Sequence, residues 1–254
     1  MRVKQSLCLP MYQSVKPETL IPALAKIGFA AVEFWGWDDS LRGVVDLARK
    51  HKLAAASMSG PWIGLNDPAN HDKAQQEIHR AIDIAVQQDI PNVICFSGDR
   101  RPGLTDAEGI EFTAAGLKRV APYAQQKGIT LNLELLNSKV DHKGYQCDHT
   151  AWGVAVCEKV GSPAVKLLYD VYHMQIMEGD IIRTLRDNIQ WIGHFHTAGN
   201  PGRNDLDDAQ ELNYTGICRA IAATAFSGYV AHEFAPKGDA IEALRSAFKQ
   251  CDQG

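Results

Sequence analysis

Short apolar runs alternate with amphipathic stretches from one end of the chain to the other. Each run is mostly apolar and is bounded by glycine, proline or polar residues, which is typical of a strand buried on both faces. Eight such runs predict strands at residues 3–9, 31–35, 53–58, 92–96, 129–134, 165–170, 192–197 and 229–234.

The stretches between these runs carry the spacing of amphipathic helices. The first ends at Gly28, which suits a helix C-terminus, and the fourth begins at Thr105, three residues before Glu108, as in a capping box. Helices are predicted within residues 18–28, 46–53, 71–88, 105–128, 148–161, 179–189, 213–225 and 239–250.

Eight strand–helix units predict a closed (β/α)8 barrel, the TIM barrel, because helices between parallel strands form right-handed crossovers. A doubly wound open sheet is the alternative fold, but the glycine-rich phosphate turn that it needs after an early strand is missing. No linker or change in composition divides the chain, so residues 1–254 are expected to form one barrel domain.

Composition narrows the class of protein only a little. The chain is 45% hydrophobic and 22% charged, and its net charge of −4 argues against a dedicated nucleic-acid binder. Six scattered cysteines without a CxxC pair suggest neither a zinc ribbon nor a disulfide framework. No signal-peptide core or membrane-spanning run is evident, so the sequence predicts a cytoplasmic protein without a membrane partner.

Four acidic or histidine residues close the last four strand runs, at intervals of 36, 26 and 37 residues. They are Glu134, Asp170, His196 and Glu233. Parallel strands would bring these side chains to one end of the barrel, where ligands bind in this fold. Buried carboxylates need a cation or many donors, and three carboxylates with one imidazole predict a single divalent ion. Mn²⁺ or Mg²⁺ suits these ligands best, and Zn²⁺ stays open.

Residues near the same barrel end could complete a pocket. Trp35, Trp37 and Trp62 follow the second and third strands, where they would wall the pocket or pack the barrel end. His194 shares the facing of His196 and would lie one layer deeper, whereas His232 would point toward the helices. The turn-rich connection at residues 198–212 could be a mobile lid or a rigid loop.

Three stretches resemble the hydroxypyruvate isomerase branch of the xylose isomerase-like TIM barrels. They are YDVYHMQIMEGD at residues 169–180, IGHFHTAGNPGR at 192–203 and ELNY at 211–214. The resemblance implies that the four strand-end residues bind the metal, that Glu134 and Glu233 also exchange protons with substrate, and that His173 and Arg203 contact it. The family differs at one position: some hydroxypyruvate isomerases carry glutamine where this chain has His196, and histidine there is typical of ketose 3-epimerases.

The same residues suggest a chemistry. Isomerising an α-hydroxycarbonyl requires removal of a proton beside a carbonyl and its return to the neighbouring carbon. Two carboxylates could act as base and acid while the cation stabilises the enediolate. His173 follows Asp170 closely enough to donate to a substrate oxygen, and Arg203 could hold a carboxylate in bidentate fashion.

The leading hypothesis is therefore a metal-dependent isomerase of a small α-hydroxy-keto acid, such as hydroxypyruvate to tartronate semialdehyde. The alternative is a free keto-sugar 3-epimerase or ketose/aldose isomerase that uses the same site. An apurinic-site endonuclease would need extra histidines at Trp35, Met58 and Phe96, where the first strands end, and a sugar-binding barrel without activity is a third class. The expected partner is a small molecule, and a homo-oligomer stays open.

Overall fold

Eight parallel strands close into one barrel in sequence order, with β8 pairing back onto β1. The computed structural model describes residues 2–38 and 40–253. The strands are β1 (Lys4–Cys8), β2 (Ala31–Phe34), β3 (Ala54–Ser59), β4 (Asn92–Cys95), β5 (Thr130–Glu134), β6 (Val165–Asp170), β7 (Ile192–Thr197) and β8 (Tyr229–His232). The TIM-barrel prediction is confirmed, and the doubly wound open sheet is excluded by the closed pairing.

The strand predictions hold to within one residue at each end, except at the end of the last strand. There β8 stops at His232, so Glu233 lies just beyond the strand. The Glu233 amide still donates to the Thr197 carbonyl at 2.9 Å, which keeps it beside the end of β7.

The helices pack around the barrel between successive strands. They are α1 (Pro17–Ile27), α2 (Leu41–Lys50), α3 (His71–Gln87), α4 (Asp106–Lys127), α5 (Thr150–Val160), α6 (Val171–Met177), α7 (Ile181–Asp187), α8 (Tyr214–Ala222) and α9 (Ala240–Cys251). Both predicted end signals are found. Thr105 and Glu108 form a reciprocal capping box at the start of α4, and Gly28 ends α1 at φ 117°.

The connection from β6 to β7 contains two short helices where the sequence predicted one. The prediction at residues 179–189 covers α7, but α6 was missed because it begins directly after the strand with no loop. Asp170 makes this abrupt change possible, since its Oδ1 accepts hydrogen bonds from the amides of Tyr172 and His173. The same carboxylate therefore ends a strand and caps a helix.

The long connection after β5 is fixed to the connection after β4. Arg100 forms a two-pronged ion pair with Asp148, at 3.0 and 3.1 Å, and also donates to the Tyr145 carbonyl. Asp148 is almost fully buried and additionally accepts from Ser138 and pairs with His149. These bonds hold the segment that follows Glu134 in one place against the barrel end.

All six cysteines are buried free thiols. Within residues 2–38 and 40–253, no helix has both the length and the apolar character required to span a bilayer.

Candidate active site

The four strand-end residues singled out by the sequence come together at one end of the barrel. Each of them offers one ligand atom, and these atoms all lie within 4.8 Å of one another. All four side chains are buried. They are Glu134 on β5, Asp170 on β6, His196 on β7 and Glu233 just after β8. We call these four residues the carboxylate cluster.

The two nitrogens of His196 face different neighbours. Its Nδ1 lies 3.0 Å from Glu233 Oε2, 3.7 Å from Glu134 Oε1 and 4.0 Å from Asp170 Oδ2. Its Nε2 lies on the other side, 3.1 Å from Glu33 Oε2. Nδ1 is therefore the atom through which His196 would bind a cation shared with the three carboxylates.

Glu33 is the main site residue that the sequence reasoning missed. It lies on β2, is 1% exposed, and places Oε1 2.9 Å from His194 Nε2 while Oε2 meets His196. Burial disfavours its ionised form, but the two histidines outweigh that penalty and lower the pKa of Glu33 to about 2. The sequence did offer a signal for Glu33, which is an acidic residue inside an apolar strand. Burial of its carboxylate costs free energy, just as burial of the carboxylates at the strand ends does.

Glu33 fixes the orientation of the cluster histidine. As an ionised carboxylate it only accepts hydrogen bonds, so the facing Nε2 of His196 must carry a proton. The ionised Glu233 faces Nδ1 in the same way. Burial opposes a charge on His196, but Glu233 and Glu33 outweigh it and raise the pKa of His196 well above its usual value, so without a cation the ring carries a proton on both nitrogens. A cation in the cluster would displace the Nδ1 proton and leave the Nε2 proton bonded to Glu33, as in the carboxylate–histidine–metal arrangement of many metalloproteins. His194 is fully buried beneath His196, with their ring centres 5.3 Å apart, in agreement with the predicted deeper layer.

Replacement of Glu33 by glutamine is expected to weaken Mn²⁺ binding about tenfold to a hundredfold, the usual cost of losing the hydrogen-bond partner of a metal-ligating histidine. A competitive titration against a metal indicator measures this change. Glu111→Gln, on the exposed face of α4, is the control and should bind Mn²⁺ as the unaltered protein does. Unchanged affinity in a folded Glu33→Gln variant would show that Glu33 does not hold His196 for a cation.

The two glutamates of the cluster have opposite proton affinities. Burial, together with the negative charges of Glu233 and Asp170, raises the pKa of Glu134 to about 8, against the opposing effect of His196. Burial acts on Glu233 as well, but the charges of His196 and Arg203 outweigh it and hold the pKa of Glu233 well below its usual value. One glutamate thus holds a proton and the other is ionised.

Glu233 is surrounded by donors on both oxygens. Its Oε1 accepts from Trp35 Nε1 at 2.9 Å, and its Oε2 accepts from Arg203 at 2.6 Å and pairs with His196. Asp170 differs, since burial raises its pKa to about 6 although Arg203 and His196 oppose that rise. Three carboxylate oxygens and one imidazole nitrogen, at these distances, form a set of donors that fits a hard divalent cation.

Arg203 and His173 both reach the cluster, but not in the same manner. The Arg203 side chain is 23% exposed and lines the cavity, and its guanidinium pairs with Glu233 rather than standing free. Its backbone φ of 56° is a costly left-handed conformation for a residue other than glycine, and such strain is often found at functional sites. His173 is fully buried and contacts the cluster from behind, with Nε2 3.6 Å from Asp170 Oδ2.

A cavity of about 440 Å³ opens above the cluster. Its floor includes Glu134, Glu233 and Arg203, and its walls are largely aromatic. The three tryptophans predicted to wall a pocket all line it, and Trp62 also packs on Phe96 with ring centres 4.0 Å apart. The remaining lining residues are Trp35, Trp37, Ser59, Gly60, Pro61, Leu136 and His142.

The loop at residues 198–212 is attached along its length. The Arg203 carbonyl accepts from the Ala235 amide, and Asp205 accepts from the Lys237 amide. Glu211 accepts from the side chains of Asn200 and Gln175. These bonds favour the rigid loop over the mobile lid among the two alternatives left by the sequence. His232 points away from the cluster, as predicted, and packs on Phe29 outside the barrel interior.

A sequence model of the xylose isomerase-like TIM barrel family matches residues 21–251. The chain therefore belongs to the xylose isomerase-like TIM barrel family. Hydroxypyruvate isomerase of Escherichia coli is 25% identical over 230 residues, which cover 87% of this chain and 88% of that protein. The 2-oxo-tetronate isomerase of Haemophilus influenzae is 28% identical over 236 residues, covering 87% and 89%. The chain is an isomerase by this relationship, as the sequence predicted.

Solved structures agree with the fold. A Brucella melitensis protein described as AP endonuclease, family 2, is 24% identical with a TM-score of 0.86, covering 96% of this chain and 97% of that one. A D-psicose 3-epimerase is 21% identical with a TM-score of 0.76, covering 98% and 90%. At these identities the likeness shows the shared barrel and carries no conclusion about substrate.

Proposed function

We propose that the protein is a metal-dependent isomerase of a small α-hydroxy-keto acid, of the type that converts hydroxypyruvate to tartronate semialdehyde. The observation that carries the proposal is the carboxylate cluster itself, in which two glutamates of opposite proton affinity flank one cation-binding position below the cavity. The names of the isomerase relatives support the keto-acid class.

We assign one Mn²⁺ or Mg²⁺ ion to Glu134, Asp170, His196 Nδ1 and Glu233. Three oxygen ligands and one nitrogen are typical of sites for these ions, whereas thiolate ligands are typical of a zinc site. When bound there, the ion would supply positive charge that stabilises the developing enediolate. With the ion bound, His196 would be a neutral ligand whose Nε2 donates a hydrogen bond to Glu33.

The protein groups account for the movement of the proton. The isomerisation breaks a C–H bond next to the substrate carbonyl and forms a C–H bond at the former carbonyl carbon, so one group must accept a proton and one must deliver it. Glu233, held ionised, is assigned as the acceptor of the C–H proton. Glu134, which would be ionised as a metal ligand, is assigned to take up the proton that the substrate hydroxyl loses as it becomes the new carbonyl and to deliver it to the former carbonyl carbon, while Glu233 returns its proton to the former carbonyl oxygen. In the reverse reaction the two glutamates exchange roles.

The cavity walls suit a small acid. Arg203 is the only arginine or lysine among the described residues that line the cavity, and we assign it to pair with a substrate carboxylate. Because Arg203 also binds Glu233, we expect it to link the substrate's charged end to the proton acceptor. The tryptophan walls place apolar surface beside these charged groups.

A free keto sugar is the second candidate substrate. His196 favours it, because histidine at this position resembles the ketose 3-epimerases, and the cavity of about 440 Å³ has room for a chain longer than three carbons. The same two glutamates would serve an epimerisation. A nucleic-acid substrate receives no such support, because Ser59 at the end of β3, and Trp35 and Phe96 just after β2 and β4, are not metal ligands.

Substitution of Arg203 separates the two substrate classes. Arg203→Ala is expected to lower kcat/KM for every substrate, because Glu233 loses a donor. It should lower the value for hydroxypyruvate about tenfold to a hundredfold more than for an uncharged ketose, the cost of a lost charged hydrogen bond. Arg203→Lys keeps the charge, and its kcat/KM for hydroxypyruvate should lie between the values of the unaltered protein and of Arg203→Ala. An equal loss on acids and ketoses would remove carboxylate recognition from Arg203 and favour the sugar substrate.

A further inference from the structure

Asn137 lies three residues after Glu134 and contacts neither the cation-binding position nor the cavity. We propose that Asn137 is a positioning residue, which holds His173 in the tautomer whose Nε2 carries the proton and thereby presents an N–H donor to the carboxylate cluster. The inference rests on the proposed function for its catalytic meaning, although the tautomer can be measured without any turnover.

The orientation of the Asn137 amide is fixed by its backbone neighbours. Its Oδ1 accepts from the amides of Val140 and Asp141, both at 2.9 Å. A backbone N–H can only donate, so the atom that meets these two groups must be the oxygen. The Nδ2 of Asn137 is consequently the atom that lies 2.6 Å from both Asp141 Oδ2 and His173 Nδ1.

This orientation determines where the His173 proton lies. An amide nitrogen only donates, so Nδ1 of His173 must accept and carries a lone pair. The neutral ring then has its proton on Nε2. That nitrogen is buried, has no hydrogen-bond partner among the described residues, and lies 3.6 Å from Asp170 Oδ2. In the other tautomer a lone pair would face this carboxylate, which is electrostatically unfavourable.

Asp141, which accepts a hydrogen bond from Asn137, is itself held in place. Tyr172 donates to the same Asp141 Oδ2 at 2.9 Å, so Asp141 is fixed by two donors. Asn137, Asp141 and Tyr172 thus form a chain of hydrogen bonds that ends on His173. Such second-layer bonds set the direction of a functional imidazole and its proton.

The two histidines of the site use one tautomer in opposite ways. With a cation in the cluster, His196 would donate a hydrogen bond from Nε2 to Glu33 and turn its Nδ1 lone pair toward the cluster. His173 accepts a hydrogen bond at Nδ1 and turns its Nε2 proton toward the cluster. One ring is therefore prepared as a ligand and the other as a donor to an oxygen of Asp170 or of a substrate beside it.

An exchange of residues across the Asn137–Asp141 bond tests the proposal. The double variant Asn137→Asp, Asp141→Asn keeps the total charge and nearly the same shape, but it places an acceptor opposite His173 Nδ1. The single variant Asp141→Asn is the matched control, because Asn137 can still donate to the histidine. Ring ¹⁵N chemical shifts of histidine-labelled protein, with His173 assigned from a His173→Gln sample, report which nitrogen carries the proton.

We expect an unprotonated Nδ1 in the unaltered protein and in Asp141→Asn, and a protonated Nδ1 in the double variant. With hydroxypyruvate, kcat/KM of the double variant should be about tenfold to a hundredfold below that of the control. A protonated Nδ1 in the unaltered protein, or a double variant with unchanged tautomer, would overturn the assignment. An enzyme with the expected tautomers but no activity on any keto acid would contradict the proposed function instead.

Discussion

Glu134→Gln and Glu233→Gln are each expected to lower turnover about a thousandfold or more. Each substitution removes a proton carrier and replaces a charged ligand of the assigned cation by a neutral one. Glu233→Gln should have the larger effect, because its carboxylate is the ionised member of the pair and also binds Arg203 and His196.

The measurement must separate loss of the cation from loss of the proton carrier. Turnover of hydroxypyruvate would be followed for each variant alongside its bound metal content, and at Mn²⁺ concentrations high enough to saturate the site. Glu242→Gln, on the exposed side of α9, serves as the control and should keep full activity. If both cluster variants turned over at a near-normal rate with metal bound, the two-glutamate mechanism would be wrong.

Removal of divalent metal is expected to abolish turnover, and addition of Mn²⁺ or Mg²⁺ to restore it. The cluster brings three carboxylates together in a buried site, and the assigned cation offsets their repulsion. A ligand that binds only the folded state also stabilises it, so the melting temperature should rise with metal concentration. A metal-stripped protein with full activity would contradict the role of the cation.

Metal binding should also strengthen as the pH rises. In the metal-free fold the pKa of Glu134 is raised from an ordinary value near 4.5 to about 8. The folded state therefore keeps a proton that the unfolded chain has lost, so this group contributes stability at low pH that is lost between about 4.5 and 8. A cation must displace that proton, so Mn²⁺ affinity is expected to increase by up to about tenfold for each pH unit between pH 6 and 8. Isothermal titration calorimetry with Mn²⁺ at several pH values would measure this increase. An affinity that does not change with pH would show that the cation displaces no proton from Glu134.

The barrel and the centre of the site could be predicted from the sequence because both follow from local patterns. Apolar runs with polar ends located every strand, and residues that close parallel strands share one end of the barrel. Glu134, Asp170 and His196 stand at such ends, and Glu233 follows one directly.

The residues that support the cluster were harder to find. Glu33 and His194 pair across the barrel interior from strands far apart in sequence, and only closure of the barrel brings them together. Asn137 lies in a loop, where its contact with His173 depends on the turn that offers two backbone amides to its oxygen. Helix α6 could not be predicted because its capping residue, Asp170, is also the last residue of a strand, so no loop separates the two elements.

The direct test of the central claim is to incubate the Mn²⁺-loaded protein with hydroxypyruvate, 2-oxo-tetronates and free ketoses in D₂O and to follow each mixture by ¹H NMR. The proposed function predicts conversion of a keto acid to the isomer in which the carbonyl and the neighbouring hydroxyl have changed places, with solvent deuterium at the carbon that receives the proton. It also predicts that kcat/KM for the acid exceeds that for any uncharged ketose. No conversion of either acid, with epimerisation of a free ketose by the same preparation, would contradict it.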